Sequence, residues 1–137
     1  MDTFKIEWSS DLETGNDMID NDHKGLIKLY NRIVSIVEKK QFDKSLVNVL
    51  TELTHYSVMH FKNEEDWMQE MNYPGFEDHQ MEHKDFVYKI VMFNMSFDET
   101  NEQMFNDIFS FLKDWVSRHV VSEDKEIVKY YKANFKN

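Results

Sequence analysis

The sequence predicts an all-α protein: an antiparallel up-down-up-down four-helix bundle with a non-helical N-terminal arm and a short C-terminal helix. Apolar residues recur at steps of three and four in four long stretches, which is the spacing of an amphipathic helix. The 137 residues include only three glycines and one proline, so signals that end a helix are scarce. Four helices with short connections favour antiparallel neighbours, and the length fits a single domain over residues 1–137.

The first two helices are predicted from about Ile19 to Lys39 and from about Lys44 to Met71. The apolar stripe of the first is Ile19, His23, Leu26, Tyr30, Ile33 and Val37. That of the second is Leu46, Val49, Leu53, Tyr56, His60, Glu64, Trp67 and Met71. Asp43 is a suitable N-cap for the second helix, and Asn72-Tyr73-Pro74-Gly75 is a strong signal for its end.

The third helix is predicted from about Phe76 to Phe97, and the fourth from about Asn101. Their stripes are Phe76, His79, His83, Phe86, Ile90, Phe93 and Phe97, and then Met104, Ile108, Leu112, Trp115 and His119. Thr100 and Gln103 have the spacing of a capping box. A shorter helix is predicted from about Glu123 to Lys132. In the N-terminal arm, Gly15-Asn16 indicates a turn, and we expect Trp8 to pack against the bundle.

Composition excludes several classes of site. The chain has no cysteine, which rules out disulfides and thiolate metal ligands. The net charge of −10 disfavours nucleic acid as a partner. No stretch of about 18 apolar residues is present, so no membrane span is expected, and the first ten residues do not resemble a signal peptide. We therefore expect a cytoplasmic location, and a monomer because no exposed apolar stripe is obvious.

Histidines lie on the stripes that should be buried. Five of the six histidines and Glu64 occupy stripe positions, whereas His55 lies off the stripe and should be exposed. Burying a carboxylate or an unpaired imidazole is costly unless the group is paired or bound to a metal. No lysine or arginine lies on the stripes to pair with them. A metal ion is the simplest compensation.

The spacing of these residues agrees with metal binding. His79 and His83 are four residues apart and share one helical face, and His60 and Glu64 have the same spacing on the neighbouring helix. The other two helices contribute His23 and His119, so that every helix of the bundle offers a ligand.

Asp124 follows His119 by five residues, which on a regular helix turns the side chain away from the shared face. The helix must therefore end, bulge or turn near 120–122 if both side chains reach one site. With Asp124 included, five His, one Glu and one Asp make seven ligands, more than the roughly four to six that one ion takes. Seven ligands indicate two ions with a bridging carboxylate. Imidazole with carboxylate suits iron, zinc, copper or nickel.

These residues match a known pattern over nearly the whole chain. The matching segments are Ile19-Asp20-Asn21-Asp22-His23, His60-Phe61-Lys62-Asn63-Glu64-Glu65, His79-Gln80-Met81-Glu82-His83 and His119-Val120-Val121-Ser122-Glu123-Asp124-Lys125. In order and spacing they resemble the hemerythrin family, whose bacterial members are bacteriohemerythrins. Trp8 and Trp115 also lie where that family often has tryptophan.

The resemblance implies a role for each ligand. One iron, six-coordinate, would be bound by His79, His83 and His119. The other iron, with an open position for dioxygen, would be bound by His23 and His60. Glu64 and Asp124 would bridge the two ions beside an oxo or hydroxo group. The implied cofactors are thus two iron ions, cycling between Fe2+ and Fe3+, with dioxygen as their ligand.

The resemblance also implies a function, namely reversible dioxygen binding for transport, storage or buffering, without enzymatic turnover. Five neutral imidazoles should favour the ferrous state, whereas the carboxylate-rich sites of ferritin-like proteins favour oxidation chemistry. Two alternatives remain open: a di-iron oxidase or peroxidase, and an oxygen or iron sensor that acts through a protein partner as yet unknown.

The residues around the ligands have more ordinary interpretations. Core packing is the favoured role of Tyr56, and the alternative is a hydrogen bond that supports the ligands, because Tyr56 lies one turn before His60. Glu65 should be exposed because it is adjacent to Glu64 on the helix. Bulky side chains could equally form the core or the wall of an oxygen pocket: Phe86, Phe111, Leu112, Trp115 and Val120. Four methionines are expected to fill gaps in the core: Met59, Met68, Met71 and Met81.

Overall fold

The computed structural model describes residues 4–135, apart from the side chains of residues 121–124. Over these residues the regular structure is helical: α1 (Asp17–Glu38), α2 (Lys44–Glu70), α3 (Phe76–Met95), α4 (Glu102–Val116) and α5 (Asp124–Asn134). A 3-10 helix at Ser10–Leu12 precedes α1, and a π-helical segment, Ser117–Glu123, joins α4 to α5. Within this part of the chain no helix is both long and apolar enough to cross a membrane.

The four long helices form a closed ring. Each packs against its neighbour in sequence, and α4 returns to pack against α1. This is the predicted four-helix bundle. The predicted arm is also present: Trp8 is half-buried against the core, and the backbone of Ile6 exchanges two 2.9 Å hydrogen bonds with the Asn31 side chain.

Side-chain caps fix where three of the helices begin. Asn16 caps α1, and Asp43 caps α2 as predicted, accepting a 2.8 Å hydrogen bond from the Ser45 backbone. The predicted capping box at Thr100 is wrong. Helix α4 begins one residue later with Asn101 as its cap, because the Thr100 hydroxyl donates instead to Asp98.

The core divides into two clusters along the bundle axis. The larger fills the centre and the end with the α1–α2 connection, and its fully buried members include Leu26, Tyr30, Leu50, Leu53, Phe86, Ile90, Phe105 and Leu112. The smaller joins α5 to the bundle and consists of Ile19, Trp67, Met68, Met71 and Ile127. Tyr130 strengthens this junction, since its hydroxyl donates to the Met71 carbonyl at 2.9 Å. The layer of histidines lies between the helices of the bundle. The two apolar clusters hold these helices together.

The π-helical segment is the interruption that the spacing of His119 and Asp124 requires. A π-helix is rare, occurs as a short insertion within α-helices and is found often at functional sites. It covers Ser117–Glu123, which includes the predicted position near 120–122. The backbone therefore departs from a regular α-helix between the two candidate ligands.

Candidate metal centre

The Glu64 carboxylate is the centre of the site. It is fully buried, and one of its oxygens, Oε2, faces the Nε2 atoms of three histidines: His60 at 3.3 Å, and His23 and His119 at 3.5 Å. The other oxygen, Oε1, lies 3.0 Å from Nε2 of His83. Four imidazoles from four different segments thus converge on one carboxylate.

The electrostatics of Glu64 depend on this convergence. Burial alone would raise the pKa of its carboxyl, but the charge of His119 and the contacts with His119, His23 and His60 lower that pKa well below its ordinary value. A carboxylate, not a neutral acid, therefore occupies the core. Its negative charge must be balanced by protonated imidazoles or by a cation.

The geometry fits a metal ion. Glu64 Oε2 has no hydrogen-bond partner among the described side chains, although three imidazole nitrogens lie close to it. The candidate ligand atoms of His23, His60, Glu64 and His119 all lie within 4.8 Å of one another. Nitrogen and oxygen atoms that converge without well-formed hydrogen bonds are the arrangement expected when a cation binds between them.

His79 and His83 extend this cluster along α3. Both are buried, and their ring centroids are 5.9 Å apart. His119 lies between the two groups: its Nε2 is 3.4 Å from that of His60, and its ring centroid is 5.4 Å from that of His83. The structure thus brings the five predicted histidines and Glu64 together.

Two further predictions concern Asp124 and His55. Asp124 is the first residue of α5, but its side chain lies outside the described residues. His55 is exposed, as predicted. The assignment of each ligand to a particular ion stays a prediction.

Asp22 contacts the Nδ1 side of the His60 ring, away from the Nε2 atom that faces Glu64. Its Oδ2 lies 3.2 Å from His60 Nδ1 and accepts a 3.0 Å hydrogen bond from Asn63. Burial would raise the pKa of Asp22, but these two contacts lower it. An Nδ1–H that donates to a carboxylate leaves the Nε2 lone pair free to bind a metal and fixes the ring orientation. No role was predicted for Asp22, which the sequence shows only as part of the segment leading to His23.

Glu65 supports His83 in the same way, and the prediction that it is exposed is wrong. Its Oε2 lies 2.9 Å from His83 Nδ1, and its Oε1 accepts a 2.9 Å hydrogen bond from Gln80. Although Glu65 does not share the face of Glu64, it lies at the seam between α2 and α3, where it reaches both α3 side chains. The signal available in the sequence was a carboxylate next to a candidate ligand.

These carboxylates also change the acidity of the imidazoles. Burial would lower the pKa of His60 and of His83, but their contacts with Glu64 raise both, together with Asp22 for His60 and Glu65 for His83. Without a metal the cluster therefore holds protons readily. Metal binding must displace those protons.

Aromatic rings enclose the cluster. Phe61 stacks on His83 with ring centroids 4.0 Å apart and planes 3° apart, and Trp115 stacks on His119 at 4.5 Å and 18°. Phe86 lies 4.2 Å from Trp115. The predicted wall residues Phe86 and Trp115 are thus next to the site, whereas Phe61, adjacent to His60 in sequence, was missed. Stacking holds the imidazole planes and keeps the site apolar.

Tyr56 packs against the core, as predicted, and also donates a hydrogen bond. Its hydroxyl donates to the Asp22 carbonyl at 2.8 Å, which ties α2 to the turn of α1 that carries His23. The close approach is possible because residue 25 is glycine: a Cβ there would lie 2.1 Å from the Tyr56 hydroxyl.

Comparison with known proteins agrees with this site. The family model of the hemerythrin HHE cation-binding domain matches residues 14–131. The chain belongs to the hemerythrin family. Bacteriohemerythrin from Clostridium acetobutylicum is 27% identical over 126 residues, which cover 88% of this chain and 97% of that protein. Bacteriohemerythrin from Campylobacter jejuni is 29% identical over 125 residues, covering 91% and 94% of the two chains.

A solved structure supports the same fold for this hemerythrin-family chain. A crystal structure of a leucine-to-phenylalanine mutant superposes with a TM-score of 0.74 at 25% identity, covering 96% of this chain and 98% of the other. Together with the buried histidine and glutamate cluster, the family assignment identifies a metal site in the bundle core.

Proposed function

We propose that this chain binds dioxygen reversibly at a non-haem di-iron centre in the bundle core, for transport, storage or buffering. The observation that carries the proposal is the convergence of four imidazole nitrogens on the buried carboxylate of Glu64. Similarity to proteins named bacteriohemerythrin adds support.

The ligand set suits iron. Imidazole and carboxylate donors bind iron well, and the mainly neutral set should favour its ferrous form. One iron would be held by His79, His83 and His119, the other by His23 and His60, and Glu64 and Asp124 would bridge them. When bound, the two ferrous ions supply the electrons that dioxygen binding requires.

The surrounding residues hold the ligands and exclude water. Asp22 and Glu65 fix the tautomers of His60 and His83, so that each Nε2 faces the interior. Phe61 packs against a ligand ring and limits the access of water. A dry site should slow the irreversible oxidation of ferrous iron to ferric iron. Repeated binding of dioxygen requires that this oxidation is slow.

Binding is proposed in preference to turnover. An oxidase or peroxidase would gain from an acidic group presented to the reacting molecule. Asp22 and Glu65 instead contact the Nδ1 side of their imidazoles, and the Nε2 atoms of those rings face the interior. Both carboxylates therefore orient the metal-binding imidazoles and are not presented to a reacting molecule.

The test is to load the protein with ferrous iron under argon, admit air, record the visible spectrum, and then remove the oxygen. A charge-transfer band that forms in air and vanishes under argon over several cycles is expected. A band that never forms, or a ferric spectrum that persists, would contradict reversible binding. His60→Ala should abolish the band, and His55→Ala, at an exposed histidine, should keep it.

A further inference from the structure

One hydroxyl in the core of the bundle lacks a hydrogen-bond partner. Ser57 is fully buried on α2, and its Oγ atom makes no hydrogen bond with any group in the described part of the chain. Two threonines on the same helix behave differently: Thr51 donates to the Val47 carbonyl at 2.9 Å, and Thr54 donates to the Leu50 carbonyl at 2.8 Å. A bond to the carbonyl four residues earlier is a common way to satisfy a hydroxyl within a helix. Ser57 does not make this bond, so its hydroxyl can donate to another acceptor.

Burial makes an unpaired hydroxyl costly. A buried donor without an acceptor has given up its hydrogen bonds to water and gained none in exchange, and nearly all buried hydroxyls in folded proteins are therefore paired. An alanine would occupy almost the same space without this cost. A fully buried serine on this face of α2 thus indicates an acceptor that is not part of the polypeptide.

The position of Ser57 on α2 places it beneath the metal centre. His60, Phe61 and Glu64 follow it by three, four and seven residues, so these side chains share the buried face of the helix. Side chains on a helix lean towards its N-terminus, over the residues three and four positions earlier. The His60 imidazole and the Phe61 ring therefore lean over Ser57. Its hydroxyl lies beneath a candidate ligand and the aromatic ring that limits access to it.

Ser57 is an exception on an otherwise apolar wall. Among the buried residues of α2, a helix that the structure describes throughout, only Ser57, Trp67 and the two candidate ligands carry a side-chain nitrogen or oxygen. Trp67 packs in the smaller cluster near α5. Two methionines that were expected to fill gaps in the core, Met59 and Met81, are exposed instead and lie outside this space. The Ser57 hydroxyl is thus the polar group that α2 adds beside its ligands.

We propose that the Ser57 hydroxyl donates a hydrogen bond to the small molecule bound at the iron that His60 holds, and this role depends on the proposed di-iron function. In that function His23 and His60 give their iron one imidazole fewer than the other iron has, which leaves a position for an added ligand. The ligand class is a small molecule with an acceptor atom at its outer end, such as dioxygen or azide. A ligand that draws electron density from iron carries negative charge, and a fixed neutral donor stabilises that charge while keeping its own proton.

Azide binding to the iron-loaded, oxidised protein tests this contact, because azide binds ferric iron and can accept a hydrogen bond. Ser57→Ala should raise the azide dissociation constant about tenfold, which corresponds to about 1.4 kcal/mol. Thr51→Ala removes an exposed hydroxyl from the same helix and should leave the constant unchanged. The infrared stretching band of bound azide should shift between H2O and D2O in the wild type, and Ser57→Ala should lose this shift.

Dioxygen release provides a second measurement. Ser57→Ala should release dioxygen from the ferrous protein about tenfold faster than the wild type. The azide measurement needs only ferric iron, so a protein that fails to bind dioxygen reversibly would contradict the proposed function while the azide result still decides the role of Ser57. Equal azide affinities for Ser57→Ala and the wild type would overturn that role, and so would an isotope shift that persists in the variant. A lower urea midpoint for Ser57→Ala in the absence of azide would also overturn it, because the hydroxyl would then have a structural partner.

Discussion

The contact between Asp22 and His60 should govern how tightly the centre holds its metal. One oxygen of Asp22, whose side chain is 11% exposed, contacts His60 Nδ1 at 3.2 Å and accepts from Asn63 at 3.0 Å. Asp22→Asn keeps an acceptor of the same shape but removes the charge that makes the imidazole a better donor to metal. Loss of such a partner costs about 10-fold to 100-fold in metal affinity, or about 1.4 to 2.7 kcal/mol. We expect about 10-fold for Asn and a value nearer 100-fold for Ala.

Competition between the protein and a chromophoric chelator for ferrous iron under argon measures this affinity. The matched control is Asp66→Asn, because Asp66 is an exposed aspartate on α2 that pairs with Lys62 and touches no candidate ligand in the described contacts. Equal affinities for Asp22→Asn, Asp66→Asn and the wild type, with the fold intact by circular dichroism, would refute the reasoning.

Three further predictions concern pH, the aromatic wall and the glycine in α1. The metal-free protein should lose stability as the pH rises from about 6.5 through the raised pKa values of His60 and His83, because folding favours their protonated forms. Thermal unfolding of both forms at several pH values tests this, and the iron-loaded form, whose imidazoles are neutral, should lack this loss. Phe61→Leu should shorten the lifetime of the oxygenated spectrum severalfold and cost about 1 to 2 kcal/mol of stability, because it opens space beside His83. Gly25→Ala should destabilise the fold by about 1 to 2 kcal/mol, since the crowding against Tyr56 outweighs the roughly 1 kcal/mol gain in helix propensity.

Each of these predictions has an outcome that would contradict it. A metal-free protein whose melting temperature rises between neutral and alkaline pH would show that the imidazoles are not protonated in the fold. An unchanged lifetime in Phe61→Leu would remove this ring from the barrier to water. A more stable Gly25→Ala in urea titration would show that Tyr56 moves aside without cost.

Much of the fold could be predicted because local signals agree with one another. Helix α2 was predicted from about Lys44 to Met71 and runs over Lys44–Glu70, since its stripe, its Asp43 cap and the turn ending at Gly75 all indicate the same bounds. The histidine cluster was visible for a related reason. A histidine or a carboxylate on an otherwise apolar stripe is anomalous, and six such residues, the five histidines and Glu64, are buried together in the bundle.

What the sequence could not predict depends on contacts between helices. Asp22 and Glu65 lie between a buried and an exposed face, where a carboxylate resembles an ordinary surface charge. Only the neighbouring helix determines that each meets the Nδ1 atom of a histidine. The cap of α4 was misplaced by one residue for a similar reason, since Asp98 competes for the Thr100 hydroxyl.

The π-helical segment at Ser117–Glu123 sets the rotation of α5 about its own axis, and so determines which side chains of α5 face the bundle. Removing one residue from it would turn α5 by about 100° about its axis. Tyr130 would then leave the Met71 carbonyl, and Ile127 would leave its buried position, although both are distant in sequence from the histidines. The length of this segment is therefore constrained by two requirements: the geometry of the metal site, and the packing of α5 against the end of the bundle. A transplant of the site onto a straight helical scaffold would have to reproduce this phase shift along with the ligands.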